Sequence, residues 1–232
     1  MRKLVVFLVL LVILVVVADR GLHYAAQTEI AKRVGQQYEM ASEPEVTVGG
    51  FPFLTQAFQG TYSEINIVTG AMNVNDVQLE RVDVTAYDVD APLQALLTEP
   101  TATARTAEAT VMLPYSELQK RLPEGIVIEN EDGQPRMAGD LALHGFSQPV
   151  SAGLEVAVEG DAIVVTPTDV AIGGTGTGVD LTAQVNDRLA VSFPIPSLPF
   201  NLQVTGIDAR PNGVQVSAEA EDVPLIGAEQ QG

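Results

Sequence analysis

The chain has 232 residues and a net charge of −18, from 30 acidic residues against 12 basic ones. That balance argues against nucleic acid, which needs clustered Lys and Arg, and against long-range attraction to an anionic membrane surface. Cysteine is absent, which excludes disulfides, thiolate metal sites and an acylated lipoprotein anchor. Tryptophan is also absent, while Val, Ala, Thr and Gly are plentiful, a mix that fits a sheet-rich protein.

Arg2 and Lys3 precede fifteen apolar residues, Leu4 to Ala18, and Asp19 and Arg20 end the run. As a helix this run is about 22 Å long, against a bilayer hydrocarbon core of roughly 30 Å. A signal peptide cleaved after Ala18 fits, and so does an uncleaved anchor whose flanking residues snorkel. Either one exports the rest of the chain, anchored in the membrane or released into the periplasm or envelope. Residues 20–38 read as an amphipathic helix with Leu22, Ala26, Ile30 and Val34 in one stripe. The stripe is Ala-rich and lacks bulky aromatics, which favours packing on a sheet over lying in a membrane surface. Glu43-Pro44-Glu45 breaks the pattern.

Val46 to Thr69 reads as strand, turn, short apolar helix and strand. Val46 and Val48 alternate with Thr47, Gly49 and Gly50 permit a sharp bend, and Pro52 fixes φ at the start of a turn or helix. Phe51, Phe53 and Phe58 place three of the seven Phe residues within eight positions, with Leu54 among them. So dense a cluster needs a deep core or an apolar partner. After Gly60, Ile65 and Ile67 resume alternation. Asp76 to Asp90 reads as one long strand whose parity switches near Arg81, the mark of a β-bulge, and Pro92 to Leu97 reads as one or two helical turns.

Thr101–Leu113 is strand-like and Pro114–Leu122 reads as a short helix. Glu131-Asp132-Gly133 and Gly160-Asp161 mark hairpins. Gly173 to Gly178, GGTGTG, reads as a loop; no Lys-Ser/Thr follows it and no long helix opens behind it, as phosphate sites require. Leu189, Val191 and Phe193 read as a strand running into FPIPSLPF, whose Pro194, Pro196 and Pro199 confine it to an edge or rim. Its apolar residues Phe193, Ile195, Leu198 and Phe200 fit either a crossover packed on the core or the lip of an apolar groove. Leu202–Ile207 and Val214–Ala220 pair across Pro211-Asn212-Gly213. Residues 227–232 read as a polar, disordered tail.

Catalytic raw material is scarce. His23 and His144 are the only histidines, and no serine sits in a nucleophile-elbow context. Asp83, Asp88 and Asp90 read as a solvated sheet face. No catalytic residue, metal site or cofactor is assigned, and the chain is read as a non-enzyme.

GGFPFLTQ (Gly49–Gln56), LPYSEL (Leu113–Leu118), TPTDV (Thr166–Val170) and FPIPSLPF (Phe193–Phe200) resemble the actinobacterial LmeA-like family of phospholipid-binding envelope proteins. The resemblance runs from about Arg20 to Leu225. It implies a tubular lipid-binding fold of the superfamily that includes bactericidal/permeability-increasing protein. It also implies phospholipid or a lipoglycan precursor as ligand and, in mycobacteria, support of lipomannan mannan elongation. The residues themselves support an α+β fold: a strongly curved antiparallel sheet of about ten strands wrapped around a long N-terminal helix. The expected organisation is a signal peptide or anchor over 1–18, one domain over 19–226 and a tail. The expected lipid-binding residues are Phe51, Phe53, Leu54, Phe58, Phe193, Ile195, Leu198 and Phe200. The main alternative is a structural or interaction domain with a packed core; a carboxylate-based envelope hydrolase ranks last.

Overall fold

The computed structural model describes residues 2–37, 40, 42–74, 77–92, 102–131, 134–143, 146–159, 162–173, 182–194 and 202–226. The expected turns after Pro92, most of GGTGTG, His144, residues 195–200 and the tail lie outside these. The fold is α+β, with a long N-terminal helix and antiparallel sheets that do not close into a barrel among the described residues.

Helix α1 is a single helix, Arg2–Gln37. The apolar run and the amphipathic segment are therefore continuous, with no break at Asp19-Arg20. Residues 4–18 are exposed throughout, and the helix becomes part of the domain at Asp19, which is buried. Its inner stripe is Asp19, His23, Ala26, Ile30, Ala31 and Val34, while Leu22 of the expected stripe is exposed. The seam is rotated because its first two positions are polar residues that bond the domain: Asp19 Oδ1 accepts from the Leu54 N–H, with Oδ2 left without a hydrogen bond, and His23 donates to Val48 O. Helix α1 packs on β1 (Glu45–Val48) and α2 (Phe53–Gln59), at the edge of the sheet. A helix laid along an edge strand blocks further strand pairing there.

A six-stranded sheet runs β1, β2 (Thr61–Thr69), β5 (Arg81–Asp90), β6 (Ala102–Pro114), β13 (Gly213–Ile226) and β12 (Gln203–Arg210). A small hairpin of β3 (Met72–Val74) and β4 (Val77–Leu79) follows β2. The expected single strand over 76–90 is thus two strands separated at Glu80. The parity switch is the chain leaving the β3–β4 hairpin for the large sheet, and the Glu80 N–H already donates to Met112 O at 2.9 Å.

The second sheet runs β11 (Val191–Pro194), β10 (Ala162–Ile172), β9 (Phe146–Glu159), β8 (Gln134–Leu143) and β7 (Ile126–Glu131). The expected hairpins form: Glu131 pairs with Gln134, Glu159 with Ala162 and Arg210 with Gly213. Helix α3 (Tyr115–Gln119) stands at the LPYSEL motif. Helix α4 (Thr182–Leu189) was not foreseen; it includes Leu189, which the alternation had assigned to a strand. Its Val185 and Leu189, at i and i+4, are buried with Met137, Leu141 and Val165 in the core of this sheet. The two sheets meet where β12 contacts β8 and β9.

Gly139 permits the close approach of β7 and β8. Its φ is +146°, and a Cβ there would overlap the carbonyl oxygen of Gly125.

Candidate binding face

Register assigns every residue of the six-stranded sheet to a face, because directly paired residues lie on the same side. One row reads Val46, Ile67, Val84, Ala109, Ala218, Val204 across all six strands. Its neighbours read Val48, Ile65, Ala86, Ala107, Ala220 and Thr69, Val82, Val111, Val216, Ile207. Apart from Thr69 these three rows are entirely aliphatic. The opposite face carries Thr47, Asn66, Thr85, Glu108, Glu219, Gln203 and, one row on, Glu64, Tyr87, Thr106, Glu221.

A sheet with one aliphatic and one polar face ordinarily buries the aliphatic one. Here the burial is uneven. Val46, Val48, Ala86, Ala107, Ala218 and Ala220 are buried, whereas Ile67, Val82, Val84, Val111, Val216 and Ile207 are only half-buried. Ala86, Ala107 and Ala220 belong to a buried cluster with Val89, Ala104 and Val223, against which Tyr62, Ile65, Leu202 and Leu225 pack.

The polar face is acidic. The Tyr87 hydroxyl donates to Glu108 Oε2 at 3.5 Å, and desolvation together with Glu108 and Glu64 pushes its phenol above the ordinary range. Asn66 donates to Asp83 at 2.7 Å, and Arg105 Nε lies 3.8 Å from Asp88, itself in the left-handed region at φ 48°. Two open depressions lie on or beside this face. One, of about 500 Å³, is lined by Thr106, Glu108, Gln203, Glu219 and Glu221 among others. The other, of about 460 Å³, lies among Gln56, Tyr62, Asp88, Asp90 and Arg105. Polar and charged groups dominate both. Among the described residues no three His, Asp or Glu side chains converge as metal ligands.

The GGFPFLTQ segment forms the junction of the sheet with α1. Gly50, at φ +87°, makes the bend; Pro52 follows a cis peptide bond and takes extended backbone as the N-cap of α2. The cap hydrogen bond comes from elsewhere: Asp19 Oδ1 on α1 accepts from the Leu54 N–H at 2.8 Å. The second Asp19 oxygen lies 3.8 Å from Arg20 Nε, and the Arg20 guanidinium sits 4.8 Å from the centre of the Phe51 ring. His23 Nε2 lies 2.7 Å from Val48 O and therefore donates to it. Its ring centre lies 5.4 Å from that of Phe53, tilted by 49°, and the Phe53 ring lies 6.0 Å from that of Tyr62. Gln56 bonds Gly49 O with its amide and accepts from the Ser63 N–H with its oxygen, tying the turn to β2.

The expected binding residues divide. Phe53 is buried and acts as core, Leu54 is half-buried, and Phe51 and Phe58 are exposed at 63% and 93%. Phe193 lies in β11, opposite Ile163, at an edge of the other sheet, as its flanking prolines predicted. That sheet contacts the first through β12, the strand farthest from β1 in the six-stranded order. Ile195, Leu198 and Phe200 lie outside the described residues. Sequence reading missed the half-buried aliphatic rows, although the period-2 alternation of β5, β6 and β13 contains them. It also missed Asp19, His23 and Gln56 as the residues that fix the junction.

An open antiparallel sheet with one half-buried aliphatic face, bonded through Asp19 and His23 to a long helix, is a scaffold suited to apolar ligands. The chain belongs to the LmeA-like phospholipid-binding family, whose model matches residues 17–219. The match starts at the end of the apolar run and takes in the junction and both sheets. No curated protein and no solved structure matches the chain.

Proposed function

We propose that this protein is a membrane-anchored, extracytoplasmic phospholipid-binding protein that holds or shuttles lipid against the aliphatic face of its six-stranded sheet. The observation that carries the reading is the half-buried band of Ile67, Val82, Val84, Val111, Val216 and Ile207, with the opposite face acidic. An acyl chain laid across the band gains about 0.8 kcal/mol per CH₂ removed from water. An anionic head group is repelled from the polar face, so lipid binds by its tails. Phe51, Leu54 and Phe58 form one lip of the face, with Phe53 as their core support. Phe193, Ile195, Leu198 and Phe200 remain proposed lipid contacts, of which Phe193, in β11, lies among the described residues. A lipoglycan precursor satisfies the same chemistry as a phospholipid, which is how a role in mannan elongation enters this reading. The family is a lipid-binding one, and no catalytic step is assigned.

Native mass spectrometry of the purified full chain, with extraction and identification of bound molecules, tests this. A stoichiometric phospholipid or lipoglycan precursor is expected. An apo mass that persists after incubation with actinobacterial lipids overturns the reading and favours a structural envelope domain. The polar lining of both depressions is the observation on that side.

A further inference from the structure

The apolar run of α1 is about 8 Å shorter than a bilayer core. The next helical turn contains Asp19, Arg20 and His23, which ordinarily end a membrane segment. The junction changes their meaning. Asp19 is 1% exposed and capped by the Leu54 N–H, and His23 is turned inward onto Val48 O. What this turn leaves facing outward includes Leu22, 50% exposed, and Tyr24, 73% exposed. Leu4 to Tyr24 spans about 31 Å of helix, close to the full hydrocarbon thickness. Arg20, the remaining charge, lies over the ring of Phe51 and therefore holds that exposed ring at the depth of the helix exit. Phe58 is exposed on α2, whose first turn is pinned to Asp19.

We infer that Leu22, Tyr24, Phe51 and Phe58 form a bilayer-docking rim that completes the short membrane segment. By withdrawing Asp19 and His23 from the lipid side, the domain lengthens its own anchor by about one and a half turns. The domain then sits with the Phe51–Phe58 turn in the membrane interface, where a tail leaving the bilayer meets one lip of the aliphatic face. The occupant is a lipid bilayer because Leu22 and Tyr24 continue the exposed apolar surface of residues 4–18 along one unbroken helix, with Phe51 held beside them on Arg20. This inference rests on α1 acting as an uncleaved anchor.

The absence of tryptophan makes the test direct. Single-Trp variants Leu10→Trp, Phe51→Trp, Phe58→Trp and Glu129→Trp of the full chain are reconstituted in phosphatidylcholine vesicles doped with acyl-brominated phosphatidylcholine. Vesicles of short-chain and long-chain host lipid are compared. Leu10→Trp is expected to be strongly quenched and Glu129→Trp, on β7, unquenched. Phe51→Trp, Phe58→Trp or both are expected to be quenched, with blue-shifted emission, and more so in the thicker vesicles. If Leu10→Trp is quenched while both rim variants behave like Glu129→Trp, the rim is wrong and the anchor stands. Rim quenching that ignores bilayer thickness reports lipid held as cargo and likewise overturns the docking. Failure to quench Leu10→Trp removes the anchor and the inference with it.

Discussion

Asp19 shows how much one residue's role depends on a partner 35 positions away. In the sequence it is the polar stop after an apolar run; in the fold its carboxylate caps α2 and fixes α1 to the turn. Asp19→Ala is expected to cost about 1 kcal/mol through loss of the cap. Amide exchange at Leu54 should rise in the variant, and unchanged protection there would refute the capping role. Asp19→Asn keeps an acceptor and should restore most of that protection. Tyr115 supplies a pH signature. Its hydroxyl donates to Arg210 O at 2.7 Å, and burial pushes its pKa up to about 12. The folded state therefore holds this proton more tightly than the unfolded chain, so stability is complete below pH 10 and declines as pH rises through about 12. Tyr115→Phe should cost about 1 kcal/mol at neutral pH and shrink the alkaline loss. Denaturant titrations at pH 8 and pH 11.5 check this; equal losses in both proteins would sink it. None of these partners was legible beforehand. A long-range hydrogen bond leaves no periodicity, and Gln56, inside a recognised motif, gave no local sign that it brackets Gly49 and Ser63.

Elements were legible where local chemistry dominates and obscure where packing decides. Alternation, proline and turn pairs located the hairpins and the LPYSEL helix. The eight-residue helix α4 escaped because only Val185 and Leu189 mark its buried side, and a glycine-rich run precedes it. The strand break at Glu80 was read as a bulge because a change of parity looks the same whether a strand bends or ends. Helix α2 illustrates an element bounded by backbone geometry. Its C-cap, Gly60, takes φ +77° and returns its N–H to Gln56 O at 2.8 Å. A Cβ at Gly60 would also stand 2.7 Å from Pro92 Cα. Gly60→Ala should therefore lower stability by about 1–2 kcal/mol, read as a reduced denaturation midpoint. A midpoint equal to that of the parent would show that the turn relaxes freely.

At the level of the whole molecule, composition and motif pointed to a sheet-rich chain of the lipid-binding family that the family match shows. The proposed binding face was not visible, because a face exists only once register is known. Each strand shows alternation by itself; that Ile67, Val84, Ala109, Ala218 and Val204 form one continuous row is a property of the assembled sheet. Val111→Asp, in the middle of the half-buried band, should reduce bound lipid at least tenfold while circular dichroism stays sheet-like. Glu108→Gln, on the opposite face, should leave lipid content unchanged. Equal lipid in all three proteins would move the binding surface elsewhere. The unbroken helix carries one more consequence. Because α1 has no joint between its apolar run and the domain, a chain held by the anchor proposed above would act as a lever pivoting in the membrane. An anchor tilt of about 20°, acting over the roughly 27 Å from Asp19 to Gln37, swings the far end of that helix sideways by about 9 Å. On that proposal, the lean of the domain follows the thickness of the membrane that holds it.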